Sequence, residues 1–239
     1  MDGLQDVVVR RVSTAQQVAD GLTEMILNGK MAPGEPLKES AIAASLRISR
    51  NTVREAVRIL EQGGLVRRPE MHRGATVIEP SDEELADLHR ARMLLEVAGA
   101  AATTTPEAIA AVRAAYDAMV AAAERHEPEL LVQRDLDFHA AIVAQLGSRL
   151  IDGFYGQLKR ELHYFLMVLS LEDLEYQQPG KILHEHGQIM HALEVGQITQ
   201  AQQLTTVLIQ ENEQRVRSIF HERGVAASSH RGTAARPAP

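Results

Sequence analysis

A mainly α protein in two parts is what this sequence predicts, and three observations predict it. Aromatic residues make up 3% of the 239 and tryptophan is absent, so cores must be built from Ala, Leu, Ile, Val and Met, which suits packed helices. Apolar residues recur at helical spacing along most of the chain, punctuated by Gly, Pro and hydroxyl residues. Strand-like segments occur as one pair, Leu65–Arg68 and Ala75–Ile78, joined by Pro69–Gly74.

The first helix is expected over Thr14–Asn28, where Val18, Ala19, Leu22, Met25 and Ile26 share a face. Gly29 ends it and Pro33-Gly34 turns the chain. A second helix, Glu39–Leu46, places Ile42, Ala43 and Leu46 together. After Arg47-Ile48, the Ser49 hydroxyl caps a third helix by accepting an orphan backbone N–H. On it Val53, Ala56, Val57 and Leu60 form the inward stripe, while Arg50, Asn51, Arg54 and Arg58 can face outward. Gly63-Gly64 stops it, and the strand pair follows as a hairpin with His72 and Arg73 at its tip. Helix, helix, capped basic helix and basic hairpin is the layout of a winged helix-turn-helix, here residues 1–80.

From Ser81 only helices are expected. Ser81 and Glu84 form a capping box at the first. Helices then run from about Asp82 to Ala102, from Pro106 (after the Thr105 cap) to Arg125, from Pro128 to Gln145 and from Ser148 to Ser170. Two more, Ile182–Glu194 and Thr199–Glu222, complete an all-α antiparallel helical bundle over residues 81–223. Residues 224–239, rich in Ser, Ala, Arg and Pro, are expected to be a disordered tail.

Composition narrows the function. There is no cysteine, which excludes disulfides and thiolate metal sites. No 18-residue apolar run and no signal-peptide pattern is present, so the expected location is cytoplasmic, with no membrane partner. The net charge is −7, but residues 1–80 carry 11 Lys/Arg against 10 Asp/Glu, and within Leu37–Gly74 the count is 8 against 4. A basic module on an acidic body suits phosphate contact without making the whole chain adhesive.

A recognition helix presents its N-terminal turns to the major groove. Arg50 and Arg54 lie four apart on one face, and each can grip guanine O6 and N7. Asn51 can do the same for adenine. Ser49, Thr52 and Ser40 suit phosphate oxygens, and His72, Arg73 and Gly74 would carry the wing over an adjacent groove. The segment Pro33–Val77 closely resembles the DNA-binding domain of the GntR family of bacterial transcription regulators. It carries that family's Pro-Gly (Pro33-Gly34), Leu-x-Glu (Leu37 to Glu39), Ser-Arg-x-x-Val-Arg-Glu-Ala (Ser49 to Ala56), Gly-Leu (Gly64-Leu65) and Arg-Gly (Arg73-Gly74). The family often has Thr-Pro where this chain has Asn51-Thr52. The resemblance implies base or phosphate contacts at these positions and a homodimer on a palindromic operator of double-stranded DNA.

In the bundle, Asp135 and His139 project from one helix face, and that spacing can bind one divalent metal. His186 could supply a third ligand, though spacing alone does not bring it there. The region from about Glu83 to Arg217 resembles the FCD effector domain of the FadR subfamily, many members of which hold zinc, nickel or a similar ion. Their Asp-x-x-x-His and later His match Asp135, His139 and His186; the place of a last His on the final helix falls near Leu208. The site is then three-coordinate from protein, rescued by Asn212 or His163, or empty.

Arg92 and Glu96 match the subfamily's Arg-x-x-x-Glu. They read either as an i,i+4 salt bridge or with Arg92 clamping a small carboxylate effector, beside Tyr155, Arg160, His163 and Tyr164 of the fourth bundle helix. The competing class is a metal-dependent hydrolase on Asp135, His139 and His186. Against it stand the lack of His-Glu-x-x-His, of a phosphate loop and of a nucleophile beside a base. A helical partner protein with incidental basic residues is the third reading.

Overall fold

A computed structural model describes residues 12–27, 30–68, 74–102, 105–172 and 176–233, and divides the chain into Met1–Val77 and Ile78–Pro239. The wing tip, with His72 and Arg73, lies outside the described residues.

The first unit runs α1 (Thr14–Leu27), β1 (Pro36–Leu37), α2 (Glu39–Leu46), α3 (Arg50–Gln62), β2 (Val66–Arg67) and β3 (Ala75–Val77). Its core joins Ala19, Leu22 and Ile26 of α1 to Val53, Ala56, Val57 and Leu60 of α3, all buried. The α3 stripe is thus the expected one. Met25 and Leu46 are not core residues: they are 40% and 51% exposed. Helix α2 has only two turns, and Ala43 alone carries its buried contact.

β1 is a strand the sequence reading lacks. The antiparallel sheet has order β1-β3-β2, with Leu37 opposite Ala75 and Val66 opposite Val77. Two residues give no period to recognise. The turn before it is legible: Gly34 has φ 74° and donates its N–H to Val77 O at 3.1 Å, tying the turn to β3. Between α2 and α3 the chain turns at Arg47, whose φ of 54° is left-handed, a conformation glycine adopts more easily.

The second unit is six helices: α4 (Asp82–Ala101), α5 (Pro106–Glu124), α6 (Pro128–Ala144), α7 (Arg149–Glu172), α8 (Gly180–Glu194) and α9 (Ile198–Thr233). The Ser81–Glu84 capping box and the Thr105 cap form as read. The last helix does not stop near Glu222 but continues through Thr233, so residues 224–233 are helix rather than a disordered tail. Gly224 costs a helix only about 1 kcal/mol relative to alanine, and no proline follows until Pro237. Residues 234–239 lie outside the described residues.

One contact fixes the site below. A Cβ on Gly99 of α4 would meet Ile142 O of α6 at 2.5 Å, so glycine there lets the two backbones touch. One turn away on each helix stand Glu96 and His139. No helix among the described residues is long and apolar enough to cross a membrane.

Candidate DNA-reading face and buried metal centre

In the first unit, the Ser49 hydroxyl accepts the N–H of Thr52 at 3.0 Å and lies 2.8 Å from the Thr52 hydroxyl, fixing the start of α3. Beyond that cap Arg50, Asn51 and Arg54 are exposed, as is Ser40 on α2. Arg58 is not available in the same way, because Glu55 holds it through two hydrogen bonds of 2.8 and 3.1 Å. Arg54 faces Glu39 at 3.7 Å. Gly74 opens the second wing strand with free space where a side chain would be.

In the bundle, Asp135 and His139 of α6 meet His186 of α8, and all three are buried. His139 Nε2 lies 3.0 Å from His186 Nε2 and 3.4 Å from Asp135 Oδ1, and His186 Nε2 lies 2.6 Å from that oxygen. Donors about 2.1 Å from one ion at tetrahedral angles sit about 3.4 Å apart, so the triangle has to open by about 0.8 Å along its shortest edge, His186 Nε2 to Asp135 Oδ1, and by less along the others to hold one.

The opposite ends of the ligands say what the triangle lacks. His186 Nδ1 lies 2.7 Å from Ile182 O, which can only accept, so Nδ1 carries the proton. His139 Nδ1 lies 2.7 Å from Glu96 Oε2. Burial opposes charge on Glu96, but Arg92 and His139 hold its carboxyl down to about 2, so it too is an acceptor. Each imidazole, held this way at Nδ1, has only Nε2 left to face the Asp135 oxygen, and in its neutral form presents a lone pair there. Positive charge between them is what satisfies all three: a shared proton, or a divalent cation. Burial alone would push the His139 imidazole down; Glu96 and Asp135 raise it above its ordinary value instead. The two imidazoles likewise outweigh burial and hold Asp135 well below the usual carboxylate range. These residues fit a zinc- or nickel-like ion.

Each ligand is braced from behind. Tyr176 donates to Asp135 Oδ2 at 2.7 Å, and the Phe138 ring packs edge-on against both imidazoles. Tyr155 donates to Glu96 Oε1 at 2.6 Å, the same oxygen that accepts from Arg92 Nε at 2.7 Å. The Arg92–Glu96 pair read from spacing is thus fully buried, and it backs His139. Arg92 Nη1 also reaches Asn212 of α9 at 3.3 Å. Asn212 consequently serves Arg92, while Leu208 packs half-buried against the apolar cluster around Phe138 and Ile189. His163 is half-buried on α7; burial lowers its imidazole, and its Nε2 has no hydrogen bond among the described residues. Tyr155 and Tyr164 are buried, whereas Arg160 is exposed on its own helix. The parts spacing missed, Tyr176 on Asp135 and Tyr155 on Glu96, are separated in sequence by 41 and 59 residues and leave no local signal.

Comparison with known proteins agrees with both halves. The GntR family of bacterial regulatory proteins matches residues 14–77, and the FCD domain matches residues 87–211. The chain is 29% identical over 188 residues to the probable D-xylose utilization operon transcriptional repressor of Paenarthrobacter nicotinovorans, covering 78% of this chain and 81% of that one. It is 25% identical over 181 residues to the gluconate operon transcriptional repressor of Bacillus licheniformis, 74% of each. A GntR transcriptional regulator of Rhodococcus sp. RHA1 superposes with TM-score 0.62 at 28% identity, over 85% of this chain and 97% of that one.

Proposed function

Because the chain belongs to the GntR family of DNA-binding transcription regulators and carries an FCD domain, we propose that a small carboxylate bound in its helical unit controls its affinity for an operator. The protein acts in the cytoplasm as a homodimer, since a two-fold pair of α3 helices matches a palindromic site. Arg50, Asn51 and Arg54 read base edges. Ser40, Ser49 and Thr52, with His72, Arg73 and Gly74 of the wing, take phosphates.

The observation that carries the effector half is the buried chain of charge from Arg92 through Glu96 and His139 to Asp135 and His186. It ties α4, α6 and α8 together, and Asn212 adds α9. Asp135, His139 and His186 would hold a divalent ion, which when bound supplies a positive centre for a carboxylate. Leu208 offers no ligand atom, so water or the effector completes the ion's coordination. A carboxylate arriving between α4 and α9 would replace Asn212 as acceptor on Arg92, with His163 on α7 a further polar contact. The relatives named for gluconate and D-xylose operons favour a sugar-derived acid. Such a ligand changes operator affinity by its differential affinity for two arrangements, typically about 1–3 kcal/mol. The segment Ile78 to Glu84 is the hinge.

The test is a DNA-shift titration with chelator-treated and zinc-restored protein, with gluconate and then other sugar acids as probes. Zinc-restored protein should change its affinity about 5- to 150-fold on adding an active acid. Asp135→Asn should abolish that response without altering DNA binding in its absence. A response to neutral sugars alone would remove the carboxylate from the reading, and turnover of the probe would revive the hydrolase.

A further inference from the structure

We propose that Glu39 sets the selectivity of the DNA-binding unit by holding Arg54 and Arg68 and keeping phosphate out of the groove between them. The inference rests on DNA being read by α3.

Glu39 is the first residue of α2. The pairing of Leu37 with Ala75 holds the β1–α2 junction against the stem of the wing. There Leu37, Lys38, Ser40, Arg54, Arg68 and Gly74 line a groove. The Glu39 carboxylate stands inside it, 3.7 Å from Arg54 Nε through one oxygen and 3.5 Å from Arg68 Nη2 through the other. Its side chain is 21% exposed, against 63% for Arg54 and 40% for Arg68, so the anion is the inner member and the cations the outer. Glu61 also takes Arg68, through Nε at 3.3 Å. Arg50, one turn before Arg54, faces no carboxylate among the described residues.

The two arginines of α3 are therefore not equivalent. A duplex presents one negative charge for about every 1.7 Å of its length, so an uncountered guanidinium attracts it whatever its sequence. The start of α2 would add backbone N–H groups to the same attraction. With Glu39 in place that anion position is taken. A phosphate entering the groove meets a carboxylate, and Arg54 gains from the duplex only where a base edge such as guanine O6 and N7 offers acceptors beyond it. Glu39 thereby weakens sequence-blind binding more than sequence-specific binding.

The experiment compares the parent with Glu39→Gln on two duplexes of about 30 bp: one selected by the parent from a randomised pool, and a scrambled duplex of equal composition. Glu39→Gln should bind the scrambled duplex about three- to tenfold more tightly near physiological salt. Its log–log salt slope should steepen by about one to two, as one or two phosphate contacts are added. The preference for the selected duplex should fall by at least the same factor. Glu61→Gln, which removes the same charge but leaves Glu39, should keep the parent's preference.

An unchanged preference and slope in Glu39→Gln, weaker binding to both duplexes, or the same behaviour in Glu61→Gln would each overturn the proposal. Should Glu39→Gln melt below the assay temperature, the double substitution Arg54→Gln, Arg68→Gln tests the claim from the other side. Its slope on the scrambled duplex should equal the parent's, because the carboxylate already withholds both arginines from phosphate; a shallower slope overturns it. If the parent selects no sequence at all, reading by α3 fails and this inference falls with it. If the parent selects and Glu39→Gln is indistinguishable, only Glu39 fails.

Discussion

The two units use the same residue types in opposite ways. In the DNA-reading unit, arginines stand in water and their carboxylate partners are exposed or half-exposed: Arg58 with Glu55, and Arg54 and Arg68 with Glu39. Such pairs contribute about 0–1 kcal/mol each, so they restrain side chains without committing them. In the bundle, Arg92, Glu96, Asp135, His139 and His186 are all buried, and their charged groups meet one another or Tyr155, Tyr176, Asn212 and Ile182 O. Removing one partner there leaves a charge with no solvent to receive it. Charge on the DNA-binding unit is kept loose and in water, and charge at the centre of the bundle is kept tight and buried.

The sharpest way to break this contrast is Arg92→Ala. Glu96 would lose its principal counter-charge while buried, and the protein should lose about 3–5 kcal/mol in urea unfolding; a loss under about 1 kcal/mol would mean that the bundle's charges are as loosely held as those of the first unit. Next comes the metal. Zinc at about 100 times its dissociation constant should raise the stability of the parent by about 2.7 kcal/mol. Asp135→Asn should show almost none of that gain in a thermal melt, and an equal gain would place the ion elsewhere. The exposed unit predicts smaller numbers. Arg50→Ala should cost about 1–3 kcal/mol of discrimination between selected and scrambled duplexes while leaving the melting temperature alone. Arg47→Gly relieves the left-handed turn between α2 and α3 and should stabilise by up to about 1 kcal/mol, read by chemical denaturation. Smallest of all, Leu46→Ser should shift stability by no more than about 0.5 kcal/mol, since that leucine is half in water.

What could be read in advance divides along the same line. The candidate reading face is a local object: the Ser49 cap, the four-residue spacing of Arg50 and Arg54, and the glycine pair after Gln62 lie close together in sequence, and they bound α3 with the expected inward stripe. β1 escaped because two residues have no periodicity, and it shows only through pairing with Ala75 and Thr76. The bundle centre is a tertiary object. Helical spacing puts Asp135 beside His139 and Arg92 beside Glu96, but not one pair against the other, and not His186 against either. Family resemblance supplied His186. The sequence sets Tyr155 on a helix beside Arg92, but not its bond to Glu96, nor Tyr176 on Asp135, nor Asn212 against Arg92, since those contacts depend on how the helices pack. Gly224 reads as a stop, yet α9 runs past it and past Gly232 to Thr233, since each glycine is a modest penalty and no proline intervenes.

Gly99 has a consequence for how such a regulator can diversify. With α4 and α6 in backbone contact at that point, any side chain larger than hydrogen there would force them apart and dislocate Glu96 from His139. A lineage that substitutes Gly99 must therefore re-pack α4 on α6 before Glu96 can meet His139 again.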